Sequence, residues 1–231
     1  MKKSFLFSVF MLATIPVYMA FIISRSPKNP HNVVTRYMYP EINTFNIENG
    51  VTVGVKACDT PYMECKGCDT AGIYKQYNLQ LKKTDNGLGA WVSFITFAEE
   101  VNYVLGVKSL YRLESDRNNY YVSGFRQNKM LIALNAGGKV CLSDCEIDTL
   151  VVTCRDWLDK ELKLTNKSMV KHILMDAGAI TAEFRFSCEN SNIENLVVNN
   201  ITDSNFRLTA PASLLTTMNF TLNGKLVTGK K

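Results

Sequence analysis

The hydrophobic pattern divides the chain into one long apolar run and a much longer stretch of short, alternating runs. From Phe5 to Ile23 the chain is apolar apart from small or weakly polar residues and Pro16. As a helix, that run would rise about 28 Å, near the hydrocarbon thickness of a bilayer. Proline is tolerated in membrane helices. Lys2 and Lys3 precede the run, and Arg25, Lys28 and Arg36 follow it, so the flanking charge is nearly balanced. Bulky Tyr18 occupies a place where a signal peptidase cutting after Ala20 needs a small residue, and Ser24 with Ile22 is only a second choice. The expectation is an uncleaved signal anchor, a transmembrane helix over residues 1–25. A juxtamembrane stalk with Pro27 and Pro30 follows over 26–39, and a folded ectodomain over 40–231.

Beyond the stalk, turn signals recur between apolar or alternating runs. They are Asn49-Gly50, Asp85-Asn86-Gly87, Ala136-Gly137-Gly138 and Asn223-Gly224. Each predicts a hairpin, because the right-handed twist of paired strands favours positive φ at the turn. The alternating segment 180–188 adds a strand. Two short helices are predicted. One spans Asp156 to Leu164, with Trp157, Leu158, Leu162 and Leu164. The other spans Lys167 to Ala177, with Met169, Val170, Ile173 and Leu174 at helical spacing and Gly178 as the stop. Phe94, Phe97, Val101 and Leu105 suggest a strand passing into a helix that Gly106 ends. No internal repeat of fixed period stands out. The expected fold is mainly β: a disulfide-braced β-sandwich or irregular β domain with one or two short helices.

The seven cysteines, Cys58, Cys65, Cys68, Cys141, Cys145, Cys154 and Cys188, all follow the apolar run. In an oxidising compartment they read as three disulfides and one odd thiol, with pairing open. Cys65 and Cys68 could instead form a redox dithiol, or join Cys141 and Cys145 around zinc, since short spacings let two sulfurs reach one ion. The loop-like surroundings and the exported setting favour disulfides, and neither a metal nor a cofactor is expected. Asn166, Asn200 and Asn219 each begin an Asn-x-Ser/Thr triplet and are glycosylation candidates, which places the carboxyl side outside the membrane.

Charge and motifs exclude more than they identify. The net charge is +5 and no Lys/Arg run exceeds two residues, which argues against nucleic acid as a partner. No phosphate loop or nucleotide fingerprint is present. His31 and His172 are the only histidines. His172 and Asp176 could serve a cysteine nucleophile, the one enzymatic alternative, although a packed or solvated histidine is the simpler reading. Glu99, Glu100, Asp156, Asp159 and Glu161 read as solvated carboxylates. An aromatic-basic stretch remains, with Tyr111, Arg117, Tyr120, Tyr121 and Arg126 as candidate binding residues. Tyr and Arg suit interfaces because each joins apolar area to a polar end.

Two resemblances bear on these expectations. The phrases NYVLGVKSLYRLES and NKMLIALNAGGKVCLSD look like the hairpin units of β-trefoil proteins. The second is similar to the YLAMNxxGxLY unit of fibroblast growth factors. That likeness implies a trefoil-like unit and, were the apolar segment cleaved near Ser24, a secreted ligand. The basic-flanked apolar start followed by a compact cysteine-containing domain resembles small envelope proteins of large insect DNA viruses, including the per os infectivity factors. This second likeness implies a role in host-cell entry within a multi-protein envelope complex. The function expected from the sequence is binding of a protein partner or receptor by a membrane-anchored ectodomain, without catalysis.

Overall fold

The structure is a computed structural model that describes residues 34–38, 42–48, 52–66, 77–84, 87–94, 102–155, 158–178, 182–202 and 205–228. The expected anchor lies outside the described residues. Among those described, no helix is long and apolar enough to cross a membrane. The strands are β1 (Val34–Met38), β2 (Thr44–Glu48), β3 (Thr52–Ala57), β4 (Tyr62–Lys66), β5 (Tyr77–Thr84), β6 (Gly87–Phe94), β7 (Asn102–Val107), β8 (Arg112–Ser115), β9 (Asn119–Ser123) and β10 (Arg126–Leu134). They continue with β11 (Gly138–Ser143), β12 (Glu146–Cys154), β13 (Lys160–Thr165), β14 (Met169–Asp176), β15 (Phe184–Cys188), β16 (Asn192–Asn199), β17 (Phe206–Thr209), β18 (Asn219–Leu222) and β19 (Lys225–Thr228). A short helix, α1 (Ala212–Thr217), joins β17 to β18.

These strands form a two-sheet β-solenoid. The first sheet runs β1-β4-β7-β3-β9-β11-β13-β15-β17, and the second runs β19-β18-β16-β14-β12-β10-β8-β2-β6-β5. From β8 to β18 the chain alternates between sheets, and from β10 to β18 each strand pairs in parallel with the strand two places earlier. Each β–turn–β unit is therefore one coil. In the second sheet Leu131 lies beside Val151, Val151 beside Leu174, Leu174 beside Val197 and Val197 beside Thr221, steps of 20, 23, 23 and 24 residues. A coil cannot bury its apolar face alone, and stacking joins those faces into one core.

Alternation along each strand supplies that core. In the first sheet Val53, Tyr120, Val140, Leu162 and Phe186 stand side by side and point inward. In the second, Phe45, Leu113, Ile132, Val152, Met175 and Val198 do the same. Burying a large apolar side chain contributes about 1.5–3 kcal/mol relative to exposure, so these columns dominate cohesion between coils.

The tight corners follow from local backbone chemistry. Gly124 (φ 78°), Asp144 (φ 53°), Asn166 (φ 51°) and Asn190 (φ 50°) occupy equivalent corners in the left-handed region. Glycine, asparagine and aspartate enter that region at least cost. Just after these residues, Phe125, Cys145 and Ser168 bond one coil to the next. Their carbonyls accept from Glu146 (2.7 Å), Met169 (2.7 Å) and Asn192 (2.9 Å) N–H groups respectively. The ends are closed differently. β4 runs antiparallel to both β1 and β7, β5 antiparallel to β6, and β19 antiparallel to β18.

Several expectations are overturned. The fold is neither a sandwich nor a trefoil: from β6 to β18 successive strands go to opposite sheets, and the coils pair in parallel. The span expected as helix over 156–164 instead contains β13, and the one over 167–177 contains β14. Of the helix expected before Gly106, residues 95–101 lie outside the described residues and Asn102 to Leu105 belong to β7. Gly137-Gly138 turns a solenoid corner between sheets, and β2 and β3, which flank Asn49-Gly50, also lie in opposite sheets. The turns at 85–87 and 223–224 do join antiparallel pairs, as expected of hairpins. β1 falls within the span expected as a stalk.

The disulfide framework is also overturned for the cysteines whose side chains are described. Cys58, Cys141, Cys145, Cys154 and Cys188 are free thiols. The solenoid gives the reason. Cys145 and Cys154 are interior residues at opposite ends of β12, and Cys188 is interior on β15 in the facing sheet, while Cys141 points outward, 3.6 Å from Thr165 Oγ1. The side chains of Cys65 and Cys68 lie outside the described residues.

Candidate binding groove

The second sheet carries an open groove of about 840 Å³. It lies over the first residues of β10, β12, β14 and β16. Leu214 and Thr217 of α1, with Asn219, bound one end. Two outward rows line it. Arg126, Glu146, Met169 and Asn192 are neighbours on successive strands, and Asp148, Lys171 and Glu194 belong to a second row begun by Asn128.

A shared slip in the strand pattern sets these rows apart. Perfect alternation would space inward residues by two. Instead Ile147 and Leu150, Val170 and Ile173, and Ile193 and Leu196 are all buried at a spacing of three. Two consecutive residues per strand thus escape the core: Asp148-Thr149, Lys171-His172 and Glu194-Asn195. The coil-to-coil register keeps the slip aligned, so the polar pairs stack.

Four of the groove's five charged residues form two ion pairs. Arg126 Nη2 is 3.4 Å from Glu146 Oε1, and Lys171 Nζ is 2.5 Å from Asp148 Oδ1. The hydrogen bond to Asp148 holds the Lys171 ammonium above its ordinary range. Exposed pairs of this kind contribute roughly 0–1 kcal/mol, so their main consequence here is orientation. Beside them runs an amide chain. Asn219 Nδ2 donates to Asn195 Oδ1 (2.9 Å), and Asn195 Nδ2 lies 3.0 Å from His172 Nδ1. With Asn195 as donor, His172 Nδ1 accepts and the ring's hydrogen sits on Nε2.

The sequence candidates scatter across this architecture. Tyr120 is core, and its hydroxyl donates to the Glu114 carbonyl (2.9 Å). Tyr121 is 52% exposed on the outer face of the first sheet. Tyr111 is half-buried, and Arg117 is exposed at a corner with φ 65°. Only Arg126 enters the groove. β9 and β10 belong to different sheets, so this stretch forms no continuous face. Apart from Asn219, which begins an Asn-x-Thr triplet, the remaining groove residues had no motif to announce them, because each row mixes residue types and its members stand about twenty positions apart.

The glycosylation candidates share one feature. Asn166 Nδ2 donates to Ser143 Oγ (2.8 Å), Asn200 Nδ2 to Asp176 Oδ1 (2.9 Å) and Asn219 Nδ2 to Asn195 Oδ1 (2.9 Å). Each acceptor nitrogen is thus tied to the preceding coil. The Asn200 amide and the Gly178 N–H together hold the Asp176 carboxyl below its ordinary range.

The thiols are placed for packing. Burial pushes the Cys154 thiol up to about 12, against a smaller opposing pull from Lys160. Burial likewise pushes Cys188 up to about 11 and raises Cys145. A thiol held protonated is a poor nucleophile. His172 lies on the outer face of the second sheet, while these cysteines point into the core and Cys58 and Cys141 sit with the first sheet. Among the described residues no cluster of three or more His, Cys, Asp or Glu side chains could hold a metal ion. At mildly alkaline pH, native protein should leave Cys145, Cys154 and Cys188 unalkylated. All five described cysteines should react in denaturant without reductant. A requirement for reductant in the mass-spectrometric readout would restore the disulfide framework.

No protein family matches the chain, and no curated protein does. Among solved structures, it is similar to a candidate adhesin from Bacteroides fragilis, at 10% identity and a TM-score of 0.48, covering 82% of this chain and 95% of that one. It is also similar to a candidate adhesin from Parabacteroides distasonis, at 12% identity and a TM-score of 0.41, with coverage of 82% and 95%. A candidate lipid-binding protein from Parabacteroides distasonis matches at 8% identity and a TM-score of 0.41, with coverage of 84% and 97%. None of these likenesses carries a residue assignment across.

Proposed function

We propose that this protein is a non-catalytic binding protein whose partner lies in the groove of the second sheet. The observation that supports this reading is the repetition of the groove. Equivalent positions on four successive strands, β10, β12, β14 and β16, present polar side chains to one concavity. Repeat architectures use such surfaces for extended contacts. Glu146 and Asp148 each face a cation, which suits orientation better than acid–base exchange. The finer reading is a tethered ectodomain on a virion envelope that engages a partner during host entry. It is supported by the apolar run from Phe5 to Ile23 and by the envelope-protein resemblance of the amino-terminal segment.

Charge reversal tests the groove. The double variant Arg126→Glu/Lys171→Glu should lower retention of the purified chain on immobilised cell-surface extracts at least tenfold. Its melting temperature should change little, because the pairs lost are exposed. Tyr121→Ala, on the opposite sheet, should retain wild-type binding. Equal retention by wild type and the double variant would move the binding surface elsewhere.

A further inference from the structure

The period and charge of the groove constrain what fits it. Neighbouring strands lie about 4.8 Å apart, so each row repeats its contacts at that interval along the solenoid axis. A polypeptide strand laid along the same axis would advance about 3.3 Å per residue and fall out of step. An extended chain of β-linked pyranose rings advances by close to one strand spacing per ring. The groove's charged residues are Arg126 and Lys171 against Glu146, Asp148 and Glu194, and the first four form two ion pairs. Such a balance gives a polyanion no counter-charge, which disfavours nucleic acids and sulfated polymers.

We propose that the groove binds an extended, uncharged β-linked glycan along the solenoid axis, with roughly one ring per coil at the strand spacing. This rests on the groove being the binding surface. The chemistry of the lining matches a polyhydroxyl chain. A carboxylate has lone pairs beyond those that one cation occupies, so Glu146 and Asp148 can still accept from hydroxyls. Asn192 adds an amide able both to donate and to accept, matching vicinal hydroxyls. Met169 is 46% exposed among these polar groups and offers a soft apolar surface to the C–H face of a ring. The groove is long enough for several rings and is not a closed pocket for a monosaccharide.

The test uses the full chain against immobilised β-1,4-glucan and β-1,4-linked N-acetylglucosamine oligomers of increasing length. Heparin and an extended-peptide library form the other arms. Affinity for at least one neutral series should rise with length up to roughly four rings, one per strand of the groove, and then level off. It should be nearly insensitive to salt, because no counterions are released. Met169→Asp and Asn192→Ala should each weaken it at least tenfold with unchanged melting temperature. Capture of neither neutral series overturns the proposal. So does salt-sensitive binding of heparin or a peptide that the same substitutions abolish, although that result keeps the groove as the binding surface. Glycan capture indifferent to Met169→Asp, Asn192→Ala and the charge-reversal double variant overturns both the proposal and the groove reading.

Discussion

Gly138→Val should be among the most damaging single substitutions in the solenoid. Gly138 opens β11 with φ 106°, where L side chains are strained. A Cβ there would press into the Asn118 carbonyl oxygen and stand 3.1 Å from the Asn118 nitrogen. Asn118 has no room to retreat. It is buried, its N–H donates to Ser115 Oγ at 3.2 Å, and its carbonyl accepts from the Lys139 N–H at 3.1 Å. Strain costs about 1–3 kcal/mol and overpacking about the same again, for a loss of roughly 2–6 kcal/mol. At about 2–4 °C per kcal/mol for a chain of this size, the melting temperature should fall by roughly 4–24 °C. Gly224→Val is the matched control. Its φ is 77° but nothing lies within 4 Å of the added Cβ, so only strain, at the low end of about 1–3 kcal/mol, remains. Equal losses at both positions would mean that conformation alone matters at this corner and the contact with Asn118 does not.

The same glycine shows how far local sequence signals reach. The turns at 137–138 and 223–224, where Gly137, Gly138, Asn223 and Gly224 all have positive φ, were legible in the sequence. Whether the next strand returns beside the first or crosses to a facing sheet depends on long-range pairing, which no local residue encodes. The misread helices have a similar origin. In β14 the outward slip at Lys171-His172 puts Val170 and Ile173 three apart, which imitates helical spacing within a strand. In β13 the first inward position is Lys160, buried with its ammonium donating to the Leu158 carbonyl at 2.7 Å. A lysine there hides an otherwise strict alternation with Leu162 and Leu164. The coils themselves escaped notice because steps of 20, 23, 23 and 24 residues drift too much to register as a period. Of the groove, Arg126 was a binding candidate and Asn219 a glycosylation candidate. The other positions become neighbours only once coils stack.

The two adjacent tyrosines of β9 give the sharpest test of that stacking. Tyr120 fills the column between Val53 and Val140 with no exposure, and its hydroxyl satisfies the Glu114 carbonyl at 2.9 Å. Truncating a large buried aromatic to alanine typically costs about 3–5 kcal/mol, and the carbonyl left without its donor adds to that. Tyr120→Phe keeps the ring and removes only the hydroxyl, with its bonds to the Glu114 carbonyl and from Asn118 Nδ2, so it should cost about 0.5–1.5 kcal/mol. Tyr121 points outward, and Tyr121→Ala should stay within about 0.5 kcal/mol of wild type. Chemical denaturation of the three variants reads the register of β9 directly, because a slip of one residue would exchange the inward and outward faces. A large loss for Tyr121→Ala with a small one for Tyr120→Ala would place β9 one residue out of step. The corner from β9 through Gly124 to Arg126 would then be displaced too, and with it the nearest wall of the groove.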